Sequence, residues 1–383
     1  AAGDSSEILD LGVDIEDLSS IRDAVESWTT RRSAAYASIG ESAVALSPGQ
    51  CTGWSESGVF RSLGWIENHS VRDYSLVLHE GFMGIRGRID RYMKSASVDD
   101  PDFPKKENAW KSFHAVSDAG MAIGNRYAQA ALDLARETDD SLERQRFQRM
   151  AEVCRKVPEH PAETFFEAVQ SLWFAHILTG GEDGINANSL GRLDQILFPF
   201  YQADLAAGRL SRDQAVEIME ELACKLYLDY DVQAIVLGGI DADGADAVND
   251  LTYVILDATE RAGFVRDLSV RLHSSSPAAF VKRSCELIVR GGGIPFIFND
   301  DCFVPALSDR GIPLADARGY APIGCIELTI PGKANPHAVS GWFNALKCLE
   351  LALFDGRDPI SGEQWGPNTG ILSDHPSFDS FRS

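Results

Sequence analysis

Apolar residues recur at helical spacing through most of the first half of the chain. Between Ile15 and Trp28, Leu18, Ile21, Val25 and Trp28 fall on one face, which predicts a helix. The stretch from Ser33 to Gly64 is rich in Ser, Gly and Ala and reads as loop. Helical spacing returns from His69 to Met93, from Lys105 to Glu137 and from Ser141 to Val157. Asp140 is placed to cap the last of these, with Glu143 three residues on. Pro161 opens a helix through Phe165-Phe166 to Trp173-Phe174, and its breadth of apolar residues predicts burial on most sides. A polar segment, Gly180 to Ser189, then runs into Gly191-Arg192-Leu193-Asp194-Gln195. Polar loops leaving buried helices often carry binding groups, although simple solvation explains such a loop equally well. Ser211 and Gln214 form a capping box for a helix over Ala215 to Leu228.

Beyond this point the pattern alternates. Ala234 to Ile240, Leu268 to Leu272, Ile294 to Phe298 and Tyr320 to Glu327 read as strands. Helical runs separate or follow them near Asn249 to Arg261, Pro277 to Val289, Asp301 to Arg310 and His337 to Phe354. Connections of that length suit crossovers, so the expected fold is α/β with a parallel sheet or half of a barrel behind a helix-rich N-terminal half. The acidic run Asp241 to Asp246 fails as a calcium loop, because Gly falls at its fourth position and Ala at its fifth. Gly291-Gly292-Gly293 leads into a strand, not a helix, and so is no dinucleotide fingerprint.

Chemistry concentrates in Gly324-Cys325-Ile326-Glu327. In an extended segment residues two apart point the same way, which would set Cys325 and Glu327 on one face. That pairs a hydrogen-atom handle with a proton handle beside one small molecule. The same spacing also fits an inert buried cysteine next to a solvated glutamate. His69 and Asp73, four apart, could face one ligand or form a surface pair.

Charge and cysteine usage narrow the class. With 35 basic and 57 acidic residues the formal net charge is −22, which repels phosphate backbones and anionic membranes. Nucleic acid and membrane partners are not expected. The 7 cysteines are scattered singly, without CxxC or Cys/His ligand spacing, so no metal site or disulfide framework is indicated. An odd, sparse count points to a reducing, cytoplasmic compartment. No apolar run approaches the length of a membrane span, and the first residues lack the features of a signal peptide. The chain opens on Ala and stops on Phe381-Arg382-Ser383, as expected for a piece of something longer.

Several collinear motifs carry a resemblance that spacing alone does not. Gly191-Arg192-Leu193-Asp194-Gln195 with Pro199-Phe200-Tyr201, Asn249-Asp250-Leu251-Thr252-Tyr253, Asp267 to Arg271 and Pro295 to Asp300 form most of it. Gly324-Cys325-Ile326-Glu327 and Phe343-Asn344 with Leu349 to Leu353 complete it. Together they resemble the glycyl radical enzyme family, the pyruvate formate-lyase-like proteins, from about Ile66 to Gly370, behind a poorly matched lead-in over 1–65. The resemblance implies part of a ten-stranded barrel, two antiparallel half-barrels of parallel strands wrapped in helices. It implies a chain cut before the C-terminal glycyl radical domain. It also implies a glycyl radical on a residue outside this chain, installed by a partner activase that uses S-adenosylmethionine. Cys325 would relay that radical to a small-molecule substrate, and a homodimer is in keeping with the family.

Departures from the family pattern sharpen the reading. Pyruvate formate-lyase has two adjacent cysteines, whereas Ile326 follows Cys325 here, so formate C-acetyltransferase chemistry loses its second thiol. Glu327 matches the glutamate of the eliminating members, which implies a lyase, a dehydratase or other C–X eliminase, with Cys325 and Glu327 catalytic. Asn186-Ala187 stand where diol dehydratases tend to carry His-Ser, which keeps a different leaving group or a decarboxylation open. Asn186, Asn188 and His69 are the expected substrate-binding residues. Arg61-Ser62-Leu63-Gly64-Trp65 only loosely imitates the glycyl loop and precedes the cysteine motif, so a non-catalytic fragment or pseudoenzyme is the remaining alternative.

Overall fold

The computed structural model describes residues 58–183, 187–228, 232–263, 267–334 and 337–382. The expected helix from Ile15 to Trp28 and most of the expected loop after it lie outside the described residues. The chain divides into two compact units, residues 66–339 and a smaller one whose described residues are 58–65 and 340–382.

The larger unit begins on the end of strand β1 (Phe60–Val71) and continues through α1 (Tyr74–Ser95), α2 (Phe103–Glu137), α3 (Ser141–Lys156) and α4 (Phe165–Asp183). Two expectations change here. Residues 60–64 are strand and not loop, and 69–71 complete that strand before the helix starts at Tyr74. β-Branched and aromatic residues around the turn from Val71 to Tyr74 favour the extended backbone, and Asp73 caps α1 by accepting from the Leu76 amide at 3.2 Å. Asp73 is therefore an exposed cap and shares no ligand face with His69. Asp140 does cap α3, accepting from Leu142 N at 2.7 Å and Glu143 N at 3.4 Å. α2 lays Ala128 and Ala131 against Ala151 and Cys154 of α3, small side chains that let the two helices approach closely. α4 is buried broadly, with Phe165 and Leu172 at 0% exposure, and it runs on to Asp183, past the point where the polar loop was expected to begin.

Next come β2 (Asn188–Ser189), α5 (Leu193–Ile196), α6 (Phe198–Ala206) and α7 (Arg212–Leu228). Then follow β3 (Ile235–Gly238), α8 (Asp250–Ala262), β4 (Leu268–Leu272), α9 (Ala278–Val289), β5 (Phe296–Asn299), α10 (Asp300–Asp309) and α11 (Leu314–Arg318). Ser211 and Gln214 cap α7 reciprocally at 2.9 and 3.2 Å, as their spacing predicts. Asn249 and Thr252 cap α8 in the same way, and Gly263 ends it in the left-handed conformation, φ 76°. β3, β4 and β5 form a parallel sheet with Ile235 opposite Leu268 and Val270 opposite Ile297. The alternation of strand and helix is thus an α/β arrangement. β5 is the edge, with Phe296 and Ile297 37% and 52% exposed. Leu193, Leu237, Leu251, Val254, Val270 and Phe280 lie at 0–1% exposure between the sheet and its helices, each contributing about 1.5–3 kcal/mol by burial.

The unit closes on β6 (Ala321–Ile323) and β7 (Glu327–Thr329). These pair antiparallel, so the expected single strand Tyr320 to Glu327 is instead a hairpin. The expected helix from His337 to Phe354 likewise divides into strand β8 (His337–Phe343) and helix α12 (Ala345–Leu353). Asn344 makes that break, holding non-helical backbone while its side chain accepts from Lys347 N at 3.1 Å. In the smaller unit Lys347 also bridges Glu350 and Asp358 at 2.7 and 2.8 Å.

One buried ion pair ties the C-terminal ends of the parallel strands to the hairpin. Arg271 on β4 and Asp300 at the start of α10 meet through two bonds of 2.8 Å, with side chains 0% and 1% exposed. Arg271 also donates to the Tyr320 carbonyl at 2.9 Å and the Arg318 carbonyl at 2.7 Å, and its guanidinium lies 3.9 Å from the Tyr320 ring centroid. The Tyr320 hydroxyl and Ile240 amide donate to Asp300 at 2.8 and 3.0 Å. A side chain at Gly239 would meet Arg271 Nε at 2.7 Å and Asp300 Oδ2 at 2.8 Å. Only glycine fits there.

Arg271→Met strands the Asp300 charge in the interior. It is expected to lower stability by about 3–5 kcal/mol, whereas Arg290→Ala, at an exposed pair with Glu260, costs under about 1 kcal/mol. Urea unfolding of the two variants checks the contrast; equal midpoints would show that the buried pair does not hold the fold.

Candidate active site

The tip of the β6–β7 hairpin is Gly324-Cys325-Ile326, with Ile323 opposite Glu327. Gly324 has φ +54°, which closes the turn. A Cβ on Gly324 would lie 2.6 Å from His69 Nδ1 and 3.0 Å from Glu327 Oε2. The glycine is thus set by its conformation and by two polar side chains pressed against its Cα. Glu327 folds back over the tip, its Oε2 accepting from the Ile326 amide at 3.1 Å. Cys325 and Glu327 come together through a turn, where simple strand alternation had been expected.

Two further side chains complete the arrangement. His69, at the end of β1 and 9% exposed, places Nδ1 4.0 Å from Glu327 Oε1. Ser189, on β2 and fully buried, accepts from Gly324 N at 3.2 Å and from Ala234 N at 3.1 Å. β2 pairs in parallel with β1, Ser70 opposite Asn188 and Val71 opposite Ser189, which sets His69 beside the hairpin.

The expected substrate residues fare differently. His69 reaches Glu327. Asn188 is 2% exposed, donates to the His176 carbonyl at 3.0 Å and Thr179 Oγ1 at 3.2 Å, and accepts from the Tyr74 hydroxyl at 3.4 Å. These contacts to α4 and α1 fasten the loop. Strand alternation turns its neighbour Ser189 to the hairpin instead. Asn186 lies outside the described residues. Ala187 is 1% exposed at φ +66°, so it supplies no hydroxyl where diol dehydratases tend to have one.

Cys325 is exposed at the tip, and its thiol is pushed above the ordinary value by partial loss of hydration and then by the negative charges of Glu327 and Asp267. A thiol so held keeps its hydrogen. Asp267, just before β4 with φ +51°, entered the sequence analysis only as the first residue of a family motif, and Ser189 only as the end of the polar segment. The only available cue for Ser189 was its alternation with Asn188.

A family profile described as pyruvate formate lyase-like matches residues 54–383. The chain belongs to the glycyl radical enzyme family. It is 34% identical over 324 residues to trans-4-hydroxy-L-proline dehydratase of Clostridioides difficile, covering 79% of this chain and 41% of that protein. It is 31% identical over 350 residues to isethionate sulfite-lyase of Nitratidesulfovibrio vulgaris, covering 85% and 41%. A solved structure concerning 1,2-propanediol dehydration in Roseburia inulinivorans superposes with a TM-score of 0.82 at 31% identity, over 88% of this chain and 44% of the other. The chain therefore has the pyruvate formate-lyase fold and spans about two fifths of the length of the curated relatives it matches.

The raised thiol gives a pH prediction. The thiolate is the species that alkylates, so the half-maximal pH for iodoacetamide capture of Cys325 lies above that of free cysteine. Glu327→Gln removes one repelling charge and moves the midpoint down. Peptide-resolved mass spectrometry, which separates Cys325 from the other exposed cysteines Cys224, Cys285 and Cys302, reads both; a midpoint at or below that of free cysteine would contradict the assignment.

Proposed function

We propose that this chain is the cysteine-bearing part of a glycyl radical lyase that eliminates a group from a small hydroxylated substrate. The observation that carries the reading is the gathering of Cys325, Glu327 and His69 around Gly324, in a family whose matched members include a dehydratase and a sulfite-lyase. Within the whole protein the hairpin would stand at the centre of the family's ten-stranded barrel.

A radical S-adenosylmethionine activase would be the partner, and the glycyl radical would supply the oxidising equivalent that removes the hydrogen atom from Cys325. A thiol kept neutral by Glu327 and Asp267 suits that transfer, because a thiolate has no hydrogen atom to give. The sulfur radical then takes a hydrogen atom from the carbon bearing the substrate hydroxyl. Glu327 accepts the hydroxyl proton as the electron pair moves to form the carbonyl, and the group on the adjacent carbon leaves with its bonding pair. The remaining carbon radical recovers a hydrogen atom from Cys325, which returns the sulfur to its starting state. His69, beside Glu327, is placed to hold that carboxylate and to give a proton to a basic leaving group.

Chemistry at one carboxylate is directly testable. In the whole protein carrying this chain, activated anaerobically, turnover is assayed on 1,2-propanediol and isethionate, which the relatives' names suggest and which each carry a leaving group beside a hydroxylated carbon. Glu327→Gln is expected to slow the accepted substrate roughly hundredfold, the scale of a lost general base. Near-full turnover by that variant would remove Glu327 from proton transfer.

A further inference from the structure

We propose a second binding site, remote in kind from the cysteine hairpin, for an elongated amphipathic monoanion such as an arylalkyl carboxylate. It is a cleft of about 450 Å³ bounded by α3, α4 and α7, within the size range of small-molecule sites. Its apolar surface comes from Met150, Phe166, Val169, Trp173, Ile218 and Leu222. Phe166 and Trp173 are two turns apart on α4, about 10.5 Å along the helix, and so mark its two ends.

A cation stands over each ring. The Arg149 guanidinium is 5.5 Å from the Phe166 centroid and the Lys225 ammonium 5.6 Å from the Trp173 centroid. Among the described residues neither has an ion-pair partner within 4 Å, whereas the other two lining cations do. Arg209 is held by Asp204 at 2.6 Å, and Arg146 pairs with Glu221 at 3.6 Å. Glu217 is the remaining carboxylate, which leaves the lining with one net positive charge. In a chain of net charge −22 that is a marked local reversal. Long carboxylates match it: an apolar body covers the rings and aliphatic side chains, and the charged end meets the exposed Lys225 or Arg149 at the edge of the cleft. A neutral ligand would leave both cations unanswered. A dianion would exceed the local charge and be repelled by Glu217.

The test is a ligand-observed nuclear magnetic resonance titration of the full 383-residue chain with 4-phenylbutyrate, alongside the neutral 4-phenylbutan-1-ol. Saturable one-to-one binding on the order of 1 mM is expected for a ligand of that size, with the alcohol weaker. Lys225→Ala and Arg149→Ala should each weaken the acid roughly threefold to fivefold, the scale of a partly exposed charge contact. Glu217→Gln should tighten it, a gain that general damage to the fold does not mimic. Absence of saturable binding, equal affinity for acid and alcohol, or indifference to all three substitutions would overturn the proposal, as would a cleft that captures a protein segment and ignores the small acid.

Discussion

The bidentate pair between Arg271 and Asp300 is the constraint on which the C-terminal half of the larger unit depends. Neither group is reachable by water, and a buried charge is tolerated only when its partner and its hydrogen bonds are complete. Completion here draws in the Tyr320 ring, hydroxyl and carbonyl, the Arg318 carbonyl and the Ile240 amide. β4, the exit of β3, the start of α10 and the residue just before the hairpin are thereby fixed at one point. Because Tyr320 immediately precedes β6, the pair sets where the hairpin begins and so where Cys325 is carried.

At the other end of that short lever, positioning passes to uncharged contacts. Ser189 holds the Gly324 amide, and the glycine itself leaves room for His69 and Glu327 to close in. The arrangement suits hydrogen-atom transfer better than nucleophilic sulfur chemistry. A cysteine meant to attack carbon is activated by nearby cations that stabilise its thiolate, whereas partial loss of hydration, and then the charges of Glu327 and Asp267, push the Cys325 thiol upward.

Much of this was legible before any coordinates, for identifiable reasons. Capping pairs such as Ser211 with Gln214 and Asn249 with Thr252 are local, and the side chains that signal them act within one turn. The parallel β3-β4-β5 sheet was legible from alternation of apolar strands with amphipathic helices. The hairpin was not, because Tyr320 to Ile326 carries no charged residue and one glycine does not announce a turn until its φ is known. His337 to Phe354 misled in a similar way: its apolar spacing fits a helix on both sides of Asn344, and only the cap shows where strand gives way to helix. For the site, the sequence offered Cys325 and Glu327 from their motif, whereas it set His69 with Asp73 and the fold sets it beside Glu327 instead. The contacts of Asn188 with α1 and α4 were not legible, because a two-residue strand's register depends on its pairing with β1. Ser189 acts across 135 residues of sequence, a distance no local pattern spans.

The central claim is that Cys325 hands a hydrogen atom between the family's glycyl radical and substrate. The most direct measurement is electron paramagnetic resonance on the whole protein with Cys325→Ser, incubated anaerobically with a competent activase and S-adenosylmethionine, with product followed in the same sample. The account predicts a glycyl doublet as strong as that of the unaltered protein and no product, because the serine hydroxyl holds its hydrogen too strongly for the relay. Product formation by the serine variant at a rate near that of the unaltered protein would contradict it.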